Sequence, residues 1–411
     1  MRILVLHGWS DELVHYRDSI DHEAHEVTYV SAPDRRSTLP KNVRCQVLER
    51  PGVGDTVTEV LAAITDLPKP DMVLALSEFD MIAAGQLREA LNVPGPKLSD
   101  ALLVRDKVVM KSAVAEAGVR VPRFLALADA ADAADPGRVP WTGATVLKPS
   151  KGASSQGVVV LPTVAEAIAA ARDIVPADEI TDFEIEEYLP GRVVHVDGLV
   201  SGGRPLALQP SRYINTCLDY AGGTPLGSVQ FNATDALVEW TLRCLAAVNI
   251  VDGPFHLEAI EAVGELAFME VAARWGGGPV ADAFELATGV WLPSAAAHLA
   301  VNGPGGLPPA RSPGPAELYG WFLIPGHKIG SQFCRITGER EFRDHPLSRR
   351  WWQRSPDEPV SCSYAMQNVP AAGVLGPSTE PELEELIVRV LATIKVNPVP
   401  AADAHEYAQS R

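Results

Sequence analysis

Lys148 stands directly before Pro149 and a loop, "SKGASSQG" (150–157), in which Gly152 and Gly157 lie five residues apart. Glycines let backbone N–H groups approach phosphate oxygens, the hydroxyls of Ser154 and Ser155 add donors, and a lysine supplies a point charge. The glycine spacing matches a P-loop, yet Val158 and Val159 stand where that motif needs Lys and Ser or Thr. Two readings stay open: a phosphate loop whose lysine precedes the glycines, or a glycine-rich turn between two strands.

Further along, Glu258 and Glu270 lie twelve residues apart on two arms that read as a hairpin, with "EAVGE" at the turn. Facing carboxylates repel unless a cation lies between them, and Mg²⁺ suits hard oxygen ligands. Two solvated strand glutamates are the alternative, but "LAFMEVAA" places its single charge in an apolar run, which is costly without a partner. Arg274 follows, ahead of Trp275 and Gly276 to Gly278. A guanidinium there suits a bidentate hold on a carboxylate or phosphoryl group, and equally a hairpin exit. "FEIEEYLPG" (183–191) is a strand end with carboxylates, and His195 alternates with valines in "VVHVDG".

These residues need elements to position them. "RILVL" and "DMVLALSE" are short apolar runs of the kind that form buried parallel strands, and "VTEVLAAITDL" between them reads as a helix, so the first hundred residues predict a doubly wound sheet. A helix opens at Asp106 with Val109, Met110, Ala113, Val114 and Ala117 on one face. "TVLK" and "GVVVL" read as strands flanking the glycine loop, with Val158 and Val159 as its buried return, and "TVAE" (163–166) is a capping box. A Pro/Gly-rich stretch (303–313) marks a boundary before a mixed tail that contains Trp351, Trp352 and the helix-like "EPELEELIVRVLATI".

The 411 residues suggest two or three domains at about 150 residues each. A 46% apolar and 21% charged composition is that of a globular protein, and a net charge of −17 disfavours nucleic acid as a partner. Cys45, Cys217, Cys244, Cys334 and Cys362 are scattered, with neither a disulfide framework nor zinc spacing. The apolar run in "MRILVLHG" is too short for a signal peptide and no later run spans a bilayer, so the expectation is a cytoplasmic protein with no membrane partner.

Taken in order, "RDKVVMKSAVAEAGVRVP", "VLKPSKGASSQGV", "EEYLPG", "FHLEAIE" and "FMEVAARWGGG" resemble the ATP-grasp superfamily, specifically carboxylate–amine ligases related to bacterial L-amino acid (dipeptide) ligases. The resemblance covers roughly residues 70–290. It implies α/β and α+β architecture: a Rossmann-like pre-ATP-grasp domain (1–100), a lid subdomain (101–187), a metal-bearing subdomain (188–302) and an accessory subdomain (315–411), with nucleotide between the two α+β subdomains.

By the same resemblance, Lys107 and Lys148 bind the phosphates of ATP, and Ser154, Ser155, Gln156 and Gly157 form a loop that closes over them. Glu186, Glu187, Tyr188 and Leu189 form the adenine hinge. Glu258 and Glu270 hold Mg²⁺, two ions or Mn²⁺ in its place. Arg274, Gly276 and Gly277 meet the acyl substrate, Arg274 and Lys148 serving catalysis, and Glu78 is a candidate for the amine. Two departures stand out: Val193 replaces a ribose-binding glutamate, leaving Glu187 or His195 for that contact, and Ala272 replaces an asparagine beside the second metal glutamate.

The implied activity is ATP-dependent amide formation from small carboxylate and amine substrates through an acyl phosphate, with a homodimer compatible. The alternatives are a non-catalytic nucleotide binder of the same fold and a ligase acting on a thiol or carrier protein. A hydrolase, suggested by "VLHGWS", lacks any G-x-S-x-G nucleophile motif.

Overall fold

The computed structural model describes residues 1–132, 139–262, 264–360 and 369–400. Cys362 and the hairpin-turn residue Val263 lie outside them. The first sheet is parallel, in the order β3-β2-β1-β4, built from β1 (Arg2–Leu6), β2 (Glu26–Ser31), β3 (Gln46–Glu49) and β4 (Met72–Ala75). Leu4, Leu6, Val30 and Val73 meet Val60 of helix Thr56–Ala63 and Ala84 and Leu87 of helix Met81–Ala90. The opposite face, with Ile3, Val5 and Tyr29, packs on Trp275, Phe284 and helix Leu292–Asn302. Both faces are covered, which is why these strands are apolar almost throughout.

A second, antiparallel sheet runs β5-β8-β6-β7, from β5 (Phe124–Ala126), β6 (Thr145–Pro149), β7 (Val159–Leu161) and β8 (Phe183–Glu187). Helix Val164–Ile174 covers it; the Thr163 hydroxyl accepts from the Glu166 N–H at 3.2 Å, which is the N-cap half of the expected capping box, while the Glu166 carboxylate accepts from the Thr163 hydroxyl at 3.0 Å and not from the Thr163 N–H. The glycine loop joins β6 to β7. Its return is not buried as expected: Val158 and Val159 are half-buried and Val160 is exposed, because β7 is the sheet edge and faces a cavity.

The third sheet has eight strands in the order β13-β12-β9-β10-β11-β14-β17-β16. They are β9 (Arg192–Ser201), β10 (Arg204–Ile214), β11 (Leu226–Gln230), β12 (Gly253–Ala262), β13 (Glu265–Ala272), β14 (Leu318–Ile324), β16 (Ser348–Gln353) and β17 (Ala371–Ser378). The segment after Pro315 thus supplies three strands to the sheet that carries Glu258 and Glu270, and adds a two-stranded ribbon, β15 (Phe333–Thr337) with β18 (Lys395–Val399). Among the described residues no helix is long and apolar enough to cross a membrane.

Helix Lys107–Glu116 is capped by Asp106, whose carboxylate accepts from Val108 and Val109 N–H groups. Its buried face differs from expectation. Met110 and Val114 are inside and Ala113 is half-buried, but Val109 (39% exposed) and Ala117 are exposed and Lys111 is fully buried.

Candidate active site

A cavity of about 340 Å³ lies between the second sheet and the β12/β13 hairpin. Lys107, Lys148, Ser154, Ser155, Gln156, Glu186, Glu187, Tyr188, Leu189, Glu258 and Glu270 all line it, together with Val193 and residues 216–219. Ser154, Ser155 and Gly157 take left-handed φ values of 56°, 54° and 69°. Two non-glycine residues held there mark a tightly turned loop, since such backbone is uncommon outside glycine.

Strand pairing explains the charges. Lys148 on β6 faces Glu184 on β8, and Glu186 follows two residues on, on the same face of its strand. Lys148 Nζ lies 2.6 Å from Glu186 and 3.6 Å from Glu184; Lys111 Nζ lies 2.5 Å and 2.9 Å from the same pair and 4.5 Å from the Phe124 ring centroid. Two ammonium groups and two carboxylates therefore balance within a buried cluster. Burial alone would raise the Glu186 pKa, but Lys111 and Lys148 outweigh it and hold the group down to about 2. Lys148 is penalised by burial and raised above the ordinary lysine range by Glu186 and Glu184, so it stays charged.

Glu258 and Glu270 are direct partners in the β12/β13 register. Glu258 Oε1 accepts from the Tyr213 hydroxyl at 3.0 Å and from His256 Nε2 at 3.2 Å. Lys107 Nζ lies 3.0 Å from Glu270 and donates to the Gly152 carbonyl at 2.7 Å. Against the effect of burial, Lys107 and Lys148 lower the Glu270 pKa to about 2. Two carboxylates on neighbouring strands, at least one of them held ionised at neutral pH, form a donor set that fits a divalent cation such as Mg²⁺.

His195 does not reach the cavity. It is fully buried, and its ring bridges Asp197 at 2.6 Å and Ser228 at 2.8 Å. It shares its strand face with the cavity-lining Val193 and pairs with Glu258, but the bonds to Asp197 and Ser228 hold its ring buried beneath the cavity wall, where it cannot meet a ribose as the sequence led one to expect. Asp197 also accepts from His256 Nδ1 at 2.8 Å; burial lowers the His256 pKa, but Asp197 more than compensates and raises it to about 10. His195, Asp197 and His256 bring ligand atoms within 4.8 Å of one another, yet their ring nitrogens are spent on one another's neighbours, so the group is a closed hydrogen-bond chain ending on Glu258. Glu187, the other ribose candidate, lines the cavity but is paired with Arg123 at 2.5 Å.

Glu78, Arg274, Gly276 and Gly277 stand outside the cavity lining. Arg274 Nε bonds the buried Glu78, and Arg105 lies 3.4 Å from the same carboxylate. Gly276 packs on Asp197 and His256. Sequence reasoning missed Lys111, Arg105, His256, Asp197 and Tyr213. Two signals were present: Lys111 follows Lys107 by four residues on one helix face, and His256 shares its strand face with Glu258.

No protein-family model matches the chain. It is 23% identical over 291 residues to an L-arginine-specific L-amino acid ligase of Bacillus subtilis, a match covering 66% of this chain and 65% of that one, just under two thirds of the relative's length. The crystal structure of an L-amino acid ligase from Bacillus licheniformis superimposes with a TM-score of 0.70 at 18% identity, covering 97% of this chain and 98% of that one. The chain has the ATP-grasp fold. An N5-carboxyaminoimidazole synthetase from Staphylococcus aureus complexed with ADP shares that ATP-grasp architecture at a TM-score of 0.65 and 14% identity, covering 95% of this chain and 96% of that one. That fold comprises here the parallel N-terminal sheet, the four-stranded antiparallel sheet with the glycine loop, and the eight-stranded sheet that carries the facing glutamates.

Proposed function

We propose that the protein is an ATP- and Mg²⁺-dependent carboxylate–amine ligase that forms an amide bond between small substrates, at least one of them an amino acid. The observation that carries this reading is that one cavity is lined by Lys107, Lys148 and the glycine loop together with the paired Glu258 and Glu270. A loop that offers backbone donors and two lysines suits a polyphosphate. The sequence match to an L-amino acid ligase over 66% of the chain supports the substrate class, and the structural likeness over 97% of the chain supports the fold.

In this reading the substrate carboxylate attacks the γ-phosphoryl group of ATP, giving an acyl phosphate and ADP, and the amine then displaces phosphate. Lys148 and Lys107 neutralise the phosphates, Lys107 exchanging Glu270 for phosphate oxygen. Glu258 and Glu270 hold Mg²⁺, which when bound offsets phosphate charge. Tyr213 and His256 orient Glu258 through the hydrogen bonds described above. Arg274 holds the acyl group, and the loop over Ser154 to Gly157 excludes water that would hydrolyse the intermediate. Tyr188 and Leu189 offer the adenine hinge. The four-part division of the chain, at 1–100, 101–187, 188–302 and 315–411, belongs to the same proposal.

The test is ADP and phosphate release from Mg-ATP against pooled amino acids, with product masses read by spectrometry. Turnover that depends on an acid and an amine is expected, and Glu270→Gln lowers kcat by about 100-fold or more with the fold retained. ATP binding without turnover across the whole panel would instead favour a non-catalytic nucleotide binder.

A further inference from the structure

Two consecutive carbonyls of the glycine loop are held by two side chains that flank one helix cap. Lys107 binds the Gly152 carbonyl and ends on Glu270, as described. Arg105, two residues earlier, donates from Nη2 to the Lys151 carbonyl at 2.8 Å, while its Nη1 lies 3.4 Å from Glu78 Oε1. The other Glu78 oxygen, Oε2, is bonded by Arg274 Nε, and Arg274 Nη1 donates to the Trp275 carbonyl at 2.7 Å. Glu78 is 5% exposed and the Arg105 side chain 11%, so the link is shielded from water and from salt.

We propose that Arg105 is a positioning residue that couples the glycine loop to Glu78 and, through it, to Arg274. Glu78 divides one charge between two arginines. Whatever takes Arg274 away from Glu78 leaves that carboxylate to Arg105 alone and strengthens the hold on Lys151. Under the ligase reading, the group that does so is the substrate carboxylate, so arrival of the acid draws the loop down over the phosphates before the acyl phosphate forms. It also frees one Glu78 oxygen for the ammonium group of the second substrate, which orders binding as acid before amine. The chain of contacts stands on geometry; the direction of the signal rests on the ligase reading.

Amide hydrogen exchange of the ligand-free full-length protein, read by mass spectrometry, tests the link without requiring turnover. Glu78→Gln accelerates exchange in residues 150–157 by about tenfold, although Glu78 does not touch the loop, because a charge-assisted anchor of Arg105 is lost. Arg105→Ala does the same, and Arg105→Lys, which keeps one contact of two, falls between. Arg274→Gln moves the opposite way and slows loop exchange, since Glu78 is then left to Arg105. A merely structural arginine cannot produce that change of sign. Exchange in residues 2–6 serves as the fold control, and Arg274→Gln decides the matter if Glu78→Gln loosens the fold. Loop exchange unchanged or faster in Arg274→Gln overturns the proposal. Failure of the amino-acid panel with the predicted exchange pattern intact would overturn the ligase reading alone.

Discussion

Lys111 shows how much of this site depends on single buried charges. It has no access to water and is surrounded by Glu184, Glu186 and the Phe124 ring, so removing either side of the cluster would leave a buried polar group without its partner. The Glu186 pKa is depressed from 4.5 to about 2, so the group's contribution to stability is present above pH 4.5 and is lost as pH falls toward 2. Urea unfolding followed from pH 6 down to pH 2 should show stability declining within that window. Lys111→Met leaves two buried carboxylates with Lys148 alone and should lower stability at pH 7 by about 3–5 kcal/mol, measured in the same way. An unchanged midpoint in this variant would show that the cluster holds less charge than the contacts imply.

At the scale of elements, the segment after β13 packs too closely on its neighbours for a side chain at one of its glycines. A Cβ on Gly276 would lie 2.7 Å from Asp197 Oδ1 and 2.8 Å from His256 Nδ1, whereas one on Gly277 would meet nothing within 4 Å. Gly276 therefore lets the segment after β13 close over the Asp197–His256 pair that orients Glu258. Gly276→Ala should cost about 1–3 kcal/mol in chemical denaturation and weaken Mg-nucleotide binding, while Gly277→Ala leaves stability unchanged. Equal effects of the two substitutions would remove close packing as the explanation. The β12/β13 hairpin itself is a product of alternation: period-two placement puts Glu258 and His256 on one face and the aliphatic residues Leu257 and Ala259 on the other.

The whole molecule is held together by segments distant in sequence. Helix Leu292–Asn302 covers one face of the N-terminal sheet, with Trp291 Nε1 donating to the Leu13 carbonyl at 2.7 Å and Asn302 to the Ser19 carbonyl at 2.9 Å. At the other end, Gly227 on β11 lies so close to Ile387 of helix Glu380–Thr393 that a Cβ would approach it to 2.5 Å, and Arg350 on β16 binds Asp282 and Glu285. A chain ending at Asn302 would expose β11 as an open edge and strip this helix from the sheet. Such a truncation should be insoluble or lack a cooperative thermal transition, checked by expression and calorimetry. A soluble, cooperatively folding fragment would show that the tail is an independent unit. Local features were legible from residue order alone: the parallel strand "RILVL", the N-cap at Thr163, the β12/β13 hairpin and the facing of Glu258 and Glu270 all follow from periods and caps that act over a few residues. The lysine ahead of the glycines and the fold class were legible because five motifs keep their order along the chain. Tertiary structure alone decided the burial of Lys111 and of His195, the sharing of Glu78 by Arg105 and Arg274, and the entry of β14, β16 and β17 into the central sheet. Each depends on which surfaces meet across tens to hundreds of residues, and a charge declares its partner only when that packing removes water from around it.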